Sequence, residues 1–260
     1  MIHPLTHIDA SAKIAENVNI DPFTSIHKNV EIGLGTWIGS NVTIMEGARI
    51  GENCRIFPGA VISAIPQDLK FEGEDSLVII GDNTTIRECV TINRGTKASG
   101  KTMIGNDCLI MAYAHIAHDC RVGNNCIIVN NVALGGHVLI GNYAILGGLS
   151  AIHQFVSIGE HAMISGGSLV RKDVPPYVKV AKEPLRFVGI NALGLRRRKF
   201  SPKKITEIQE IYRQVFQNNN NITQALKIIK SEFNTSDERD LIIDFIEQSD
   251  RGIVKKQISK

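Results

Sequence analysis

The chain has 260 residues, and its formal net charge of +3 is too slight a basic excess to imply a nucleic-acid partner. No apolar stretch reaches the ~18 residues that cross a bilayer, and Met1-Ile2-His3-Pro4 does not open a signal peptide, so a cytoplasmic protein with no integral membrane segment is expected. Five cysteines without a CxxC pair speak against a thiol metal or redox site.

From Ile8 onward an aliphatic residue recurs every six positions, through Ile14, Ile20, Ile26, Ile32, Ile38, Ile44, Ile50, Ile56 and Ile62. The register resumes at Ile80, Ile86 and Ile92, and again from Ile104 to Val170, always in the same phase. A second column four residues later is small, as in Val18, Thr24, Val30, Thr36, Val42, Ala48, Cys54 and Ala60. Period six matches neither the 3.6 of a helix nor the simple alternation of an isolated strand; it is the mark of a solenoid. Three short parallel strands per coil then build a triangular prism with coils ~4.8 Å apart. Glycine often follows the aliphatic residue, as at Gly33, Gly39 and Gly51, where a corner asks for backbone freedom or a positive φ. Cys54, Cys108, Cys120 and Cys126 fall in the small inward column, where a thiol acts as an apolar filler.

The prism is expected over residues 1–185, with a loop extruded at 63–79, because hexads there would put Asp68 and Glu74 in the core. Residues 98–103 fit either a degenerate hexad or a second excursion. Beyond Pro184 the period changes. Ser201-Pro202 opens a helix carrying Ile205, Ile208, Ile211, Tyr212, Val215 and Phe216, and the Asn218–Asn221 run ends it. Ala225, Leu226, Ile228, Ile229 and Phe233 suggest a second helix, and Ser236 begins a third. An α-helical C-terminal domain over 186–260 would cover the open end of the solenoid. The run Arg196, Arg197, Arg198 and Lys199 is either a solvated surface or a site for an acidic partner or a phosphate.

Polar residues that interrupt the repeat gather at His115, His118 and Asp119 and at His137, His153 and Gln154. With eighteen residues per coil, His137 stacks on Asp119, while His118, Gly136 and Gln154 share one column. An imidazole beside a carboxylate is the pairing that orients a general base. A backbone N–H at Gly136 offers an oxyanion donor. No serine or cysteine pairs with these histidines as a nucleophile, so the expected reaction is proton abstraction from an acceptor hydroxyl followed by direct attack on an acyl carbonyl, with a thioester as donor.

Five segments sharpen this: His115-Ile-Ala-His118-Asp119-Cys, Gly135-Gly-His137-Val, Ile152-His153-Gln154-Phe155, Asp173-Val-Pro-Pro-Tyr177 and Ser249-Asp-Arg-Gly-Ile253. Together with Gln67-Asp-Leu-Lys70 and Asn93-Arg-Gly-Thr96, they resemble the bacterial acyl-carrier-protein:UDP-N-acetylglucosamine O-acyltransferases that begin lipid A synthesis, over essentially the whole chain. The resemblance implies a left-handed parallel β-helix, a mainly β fold, with the helical domain behind it. It implies His118 as the base for the glucosamine 3-hydroxyl, Asp119 as its orienting group and Gly136 N–H as oxyanion donor. His115, His137, His153 and Gln154 would line the nucleotide-sugar and acyl site, and Asp68 and Lys70 would reach the sugar from the loop. Asn191, Arg197 and Arg198 would hold the nucleotide or the carrier protein. Gly166 would occupy the acyl-length ruler position, which implies a long 3-hydroxyacyl donor of about 14 carbons or more, each buried methylene adding ~0.8 kcal/mol. The family is a homotrimer with sites between neighbouring prisms, its partners are acyl carrier protein and UDP-N-acetylglucosamine, and it binds no metal or cofactor of its own, the acyl group arriving on the carrier's phosphopantetheine. One departure is Leu193, where the best-known pattern has glutamate. Two rivals share the prism: an N-acyltransferase with an additional uridine-binding domain, and a γ-type carbonic anhydrase using three histidines, here His115, His118 and His137.

Overall fold

The computed structural model describes residues 1–216 and 221–256; Asn218, Asn219 and Asn220 of the asparagine run lie outside the described residues. The chain forms a left-handed parallel β-helix with helices at its C-terminal end. Short strands, most of two residues, fall into three sheets of 9, 8 and 11 strands, parallel along the prism, where each sheet takes every third strand in turn. The aliphatic column explains the register. Ile8 pairs with Ile26, Ile14 with Ile32 and Ile20 with Ile38, so equivalent isoleucines stack and leave water together. Ile26, Ile38, Ile44, Ile56, Ile62, Ile86, Ile92, Ile110 and Ile116 are fully enclosed, each contributing about 1.5–3 kcal/mol of burial.

The small column also closes hydrogen bonds. Thr24 and Thr36 donate to the carbonyls of Gly39 and Gly51 one coil on, both at 2.9 Å. The buried thiols do likewise: Cys54, Cys108, Cys120 and Cys126 donate to Gly81, Gly123, Gly135 and Gly141 at 3.1–3.2 Å. These cysteines are therefore more than apolar filler. Thr84 serves two partners, donating to Gly105 O at 2.8 Å and accepting from Cys108 N–H at 3.1 Å. Thr84→Val keeps the shape and strands both backbone groups, so it should cost about 1–3 kcal/mol, read as a lower urea midpoint; an unchanged midpoint would count against this role.

The glycines that follow the aliphatic column do not take positive φ. They are small because coils touch there: a Cβ on Gly33 would lie 2.6 Å from the carbonyl carbon of Gly51. The left-handed corners fall two positions later; asparagine, whose short side chain tolerates that backbone, is the commonest residue there, as at Asn17, Asn29, Asn41 and Asn53, but glycine and aromatic residues such as Gly35, Phe23 and Tyr113 hold others.

Two excursions leave the prism. Ile50 pairs with Ile80, twelve residues more than one coil, and the strands Val61–Ala64 and Leu77–Ile80 bracket 65–76. That loop is shorter at both ends than 63–79, because pairing continues to Ala64 and resumes at Leu77. Ile80 pairs with Ile104, one hexad too many. The extra residues turn outward between the strands Thr91–Asn93 and Lys101–Ile104; this is a second excursion rather than a degenerate hexad, and it lies at 94–100, earlier than 98–103, because Lys101 to Met103 already pair with Leu77 to Ile79.

The strand Arg186–Ile190 folds back antiparallel on Val178–Ala181, and Lys255–Lys256 pairs beside it. Residues on both sides of position 185 therefore share one sheet. Helices α1 (Ala192–Arg197), α2 (Pro202–Phe216), α3 (Ile222–Glu232) and α4 (Asp237–Glu247) follow. Asn221 and Gln224 form a capping box on α3, and Ser236 caps α4. The helical domain seals the end of the prism through Tyr212, whose hydroxyl donates to Pro176 O at 2.6 Å, and through Phe216 stacked on Phe187 at 4.2 Å.

Candidate active site

At one corner of the upper coils the left-handed position holds Asp119, His137 and Phe155, with φ of 59°, 61° and 63°. Aspartate tolerates this conformation as asparagine does, while other side chains pay about 1–2 kcal/mol; the same corner conformation recurs at Phe23, Tyr113, Tyr143 and Leu149, so it is a property of the coil that the site uses. His137 N–H donates to His118 O and Phe155 N–H to Gly136 O, both at 3.0 Å. The corners are thus stacked coil on coil, as the eighteen-residue spacing requires.

His118 Nδ1 lies 2.8 Å from Asp119 Oδ2. The carboxylate can only accept, which assigns the proton to Nδ1 and leaves Nε2 bare. Asp119 also receives Thr96 N–H at 3.1 Å, Thr96 Oγ1 at 2.7 Å and Ser99 Oγ, and its own N–H is held by Thr102 Oγ1 at 2.9 Å. Burial by itself would raise this carboxyl, but the hydrogen bonds from Ser99, His118 and Thr96 outweigh it and hold it at about 2. With the folded value depressed below the ordinary aspartate value of 3.8, whatever stability this ionisation contributes is complete above that value and is lost as pH falls through about 2. Asp119 is therefore a permanent anion behind His118 at any working pH.

Gly136 sits against the His118 ring. A Cβ there would lie 2.6 Å from both Cε1 and Nε2, so only glycine brings a backbone this close to the imidazole. Among the described residues no acceptor takes the Gly136 N–H. His137 lies edge-on to His118, ring centroids 5.1 Å apart, and is stacked on Phe155 at 4.6 Å. Its Nε2 is 3.7 Å from Asp119 Oδ2. From the excursion, Asp68 Oδ2 comes within 4.0 Å of His118 Nε2. Together Gln67, Asp68, Lys70, Thr96, His118, His137, Gln154 and Phe155 border an open cleft of about 610 Å³.

His115 lies on the neighbouring strand with Nδ1 2.8 Å from Thr91 Oγ1. Burial, and then the proximity of His118, lower its pKa. His153 is exposed beside Gln154 and meets Arg251. The remaining candidates sit at other corners. Asn191 is buried, donates to His161 O at 2.9 Å and accepts from Gly194 N–H as the cap of α1. Arg198 donates to Tyr143 O at 3.1 Å and covers the Tyr143 ring, whereas Arg197 and Leu193 are exposed. Gly166 lies at the third corner above Gly148. Within one copy, then, the cleft gathers Asp68, Lys70, His118, Asp119, Gly136, His137 and Gln154, with His115 and His153 at its edges, and not Asn191, Arg197, Arg198 or Gly166.

Sequence reasoning missed Thr96, Ser99 and Thr102 as the supports of Asp119, and Phe155 as the platform for His137. The sequence carried little signal for Phe155, because aromatic side chains stand at the same corner position in Phe23, Tyr113 and Tyr143. Sequence reasoning also drew the hypothetical metal set as three histidines. The groups with ligand atoms within 4.8 Å of one another are instead His118, Asp119 and His137. Asp119 already accepts four donors, about as many as a carboxylate takes, an arrangement suited to orienting a base.

Comparison with known proteins adds an independent line. Residues 173–254 match the family profile for domain 2 of UDP-N-acetylglucosamine O-acyltransferase, and 29–64 and 101–136 match the bacterial transferase hexapeptide repeat. Over 252 residues the chain is 56% identical to an acyl-(acyl-carrier-protein):UDP-N-acetylglucosamine O-acyltransferase of Chlorobaculum parvum, covering 96% of both chains. A Sulfurihydrogenibium enzyme of the same name is 55% identical over 97% of this chain and 93% of its own. The crystal structure of a UDP-N-acetylglucosamine acyltransferase from Bacteroides fragilis superposes with a TM-score of 0.97 at 48% identity, covering 98% of this chain and 100% of that one.

Proposed function

Because the chain belongs to the acyl-(acyl-carrier-protein):UDP-N-acetylglucosamine O-acyltransferase family, we propose that it moves a 3-hydroxyacyl chain from acyl carrier protein to the glucosamine 3-oxygen of UDP-N-acetylglucosamine, the first step of lipid A synthesis. The observation that carries the mechanism is the column in which His118 stands between the Asp119 carboxylate and the Gly136 backbone. His118 Nε2 takes the proton of the sugar hydroxyl. The freed oxygen attacks the thioester carbonyl, and the oxygen of the tetrahedral intermediate is received by the Gly136 N–H. Collapse breaks the carbon–sulfur bond, and the phosphopantetheine thiolate recovers the proton from His118. A positioned base contributes ~10²–10⁴ in rate, and one oxyanion donor ~10²–10³. Asp68, Lys70, His137 and Gln154 bind the sugar across the cleft, and the donor's own phosphopantetheine supplies all the group-transfer chemistry.

The other corners suggest how the site is completed. Asn191, Arg197 and Arg198 belong to a corner that one copy cannot present to its own His118, so the functional unit is a homotrimer in which a neighbour brings its basic corner to this cleft. Exposed Leu69 and Phe155 fit cover by that neighbour. Arg198 is already engaged with Tyr143, so Arg197 is the freer cation for a phosphate or for the acidic carrier protein. No helix among the described residues is long and apolar enough to cross a membrane. Free thiols at all five cysteines suit the reducing cytoplasm, where we place the enzyme.

Acyl length provides the experiment. Ala112, Asn130, Gly148 and Gly166 share one corner column, and the sheet face between it and the His118 corner carries Ala133 and Ala151 at its middle, with the exposed Leu169 stacked on Ala151 in the Gly166 coil. A long chain would then run across this low alanine floor, with Leu169 as an apolar contact beside the side-chain-free Gly166. Gly166→Met should shift preference from a donor of about 14 carbons to a shorter one, losing ~0.8 kcal/mol for each methylene no longer buried. The readout is an acyl-carrier-protein series with UDP-N-acetylglucosamine. A wild type that prefers about 10 carbons, or a variant with the wild-type profile, would refute the ruler.

A further inference from the structure

The Ser249–Ile253 segment after α4 has no part in the mechanism above, yet it is tied firmly to the prism. Asp173, buried in the last coil, holds both sides: its carboxylate accepts Ser157 N–H at 2.8 Å and Ser249 Oγ at 2.6 Å. Its backbone exchanges bonds with Gly252 O at 3.1 Å and Val254 N–H at 2.9 Å. Lys172 Nζ donates to Arg251 O. This clamp brings the Arg251 side chain to His153 at the edge of the cleft. There Nη2 lies 3.3 Å from His153 Nδ1 and 3.5 Å from Arg171 O.

His153 Nδ1 has a second neighbour, the carbonyl of Gln154 at 3.1 Å, and the two contacts demand opposite tautomers. A carbonyl needs a proton on Nδ1, while a guanidinium can only donate and needs Nδ1 bare. A charge-assisted bond is roughly twice as strong as a neutral one, and the clamp holds the Arg251 backbone in place while Nη2 is also within 3.5 Å of Arg171 O. Arg251 therefore wins.

We propose that Arg251 is a positioning residue that sets the polarity of His153, fixing Nδ1 as acceptor so that Nε2–H points a hydrogen-bond donor at an oxygen of the bound substrate. Without Arg251 the ring's proton moves to Nδ1 to satisfy Gln154 O, and His153 then shows the substrate a lone pair where a donor is required. This rests on the acyltransferase reading of the cleft for its kinetic arm only.

Magic-angle-spinning nitrogen NMR of the assembled protein carrying ¹⁵N-histidine, recorded at pH 8 with His153 assigned through His153→Gln, tests the proposal independently of activity. The wild type should show His153 protonated at Nε2, Arg251→Met at Nδ1, and Arg251→Lys, which restores a cationic donor, at Nε2 again. Kinetically, Arg251→Met should lower kcat/KM ~10–100-fold, the range of a lost charged hydrogen bond. In the His153→Gln background the same change should cost less than about two-fold, as expected of coupled residues. A wild-type His153 protonated at Nδ1, or equal Arg251→Met losses in both backgrounds, would overturn it. Absent transfer in the wild type would refute the reaction instead, leaving the NMR arm to decide the role of Arg251.

Discussion

His118→Ala lowers kcat by ~10²–10⁴ while leaving the fold intact, the range expected when a general base is removed. The fold should survive because His118 lies outside the aliphatic core and in a corner whose backbone bond, from His137 N–H to His118 O, does not depend on the side chain. The change also removes the ring packed against Gly136, so the loss should fall on kcat more than on KM. Transfer within a few-fold of wild type, in protein with wild-type circular dichroism, would mean that the base is another residue. His137, 3.7 Å from the same carboxylate oxygen, would be the first alternative.

Asp119→Asn should be nearly as damaging, for a reason visible in the donors around it. Thr96 N–H, Thr96 Oγ1, Ser99 Oγ and His118 Nδ1 all aim at this carboxylate. An asparagine offers one oxygen to accept and brings an NH₂ that faces donors on the other side. If the NH₂ faces His118, the ring is driven to the tautomer with its proton on Nε2, and the base is lost; the equivalent change in a Ser-His-Asp triad costs ~10⁴. We expect ~10²–10⁴ in kcat here, with the His118→Ala Asp119→Asn double variant no worse than His118→Ala alone. Losses that multiply in the double variant would show that Asp119 acts other than through His118.

How much of this was legible without coordinates depends on whether the repeat carried the information. Isoleucine spacing determines strand, coil and stacking together, so the prism and the His118–Gly136–Gln154 column follow from arithmetic above Ile104. Across the two excursions the arithmetic breaks, because the first adds twelve residues between Ile50 and Ile80 and the second a hexad between Ile80 and Ile104. Asp119 consequently meets Thr96 and Ser99, which the eighteen-residue rule could not place beside it. Helix α1 was missed because six residues with a glycine carry little periodic signal, and Arg196–Lys199 read as one charge run although Arg198 is turned in on Tyr143. Glycines marked the corners correctly for a reason other than φ, since close approach and a left-handed backbone leave the same residue in a sequence.

The most direct test of the account is mass spectrometry of the product formed by purified wild-type and His118→Ala protein from UDP-N-acetylglucosamine and a 3-hydroxyacyl carrier protein, with the site of attachment read by fragmentation. The account predicts one acyl chain on the glucosamine 3-oxygen, formed by the wild type and nearly absent with the variant. Acylation at a nitrogen, no acylated sugar from well-folded wild-type protein, or equal product from both proteins would contradict it.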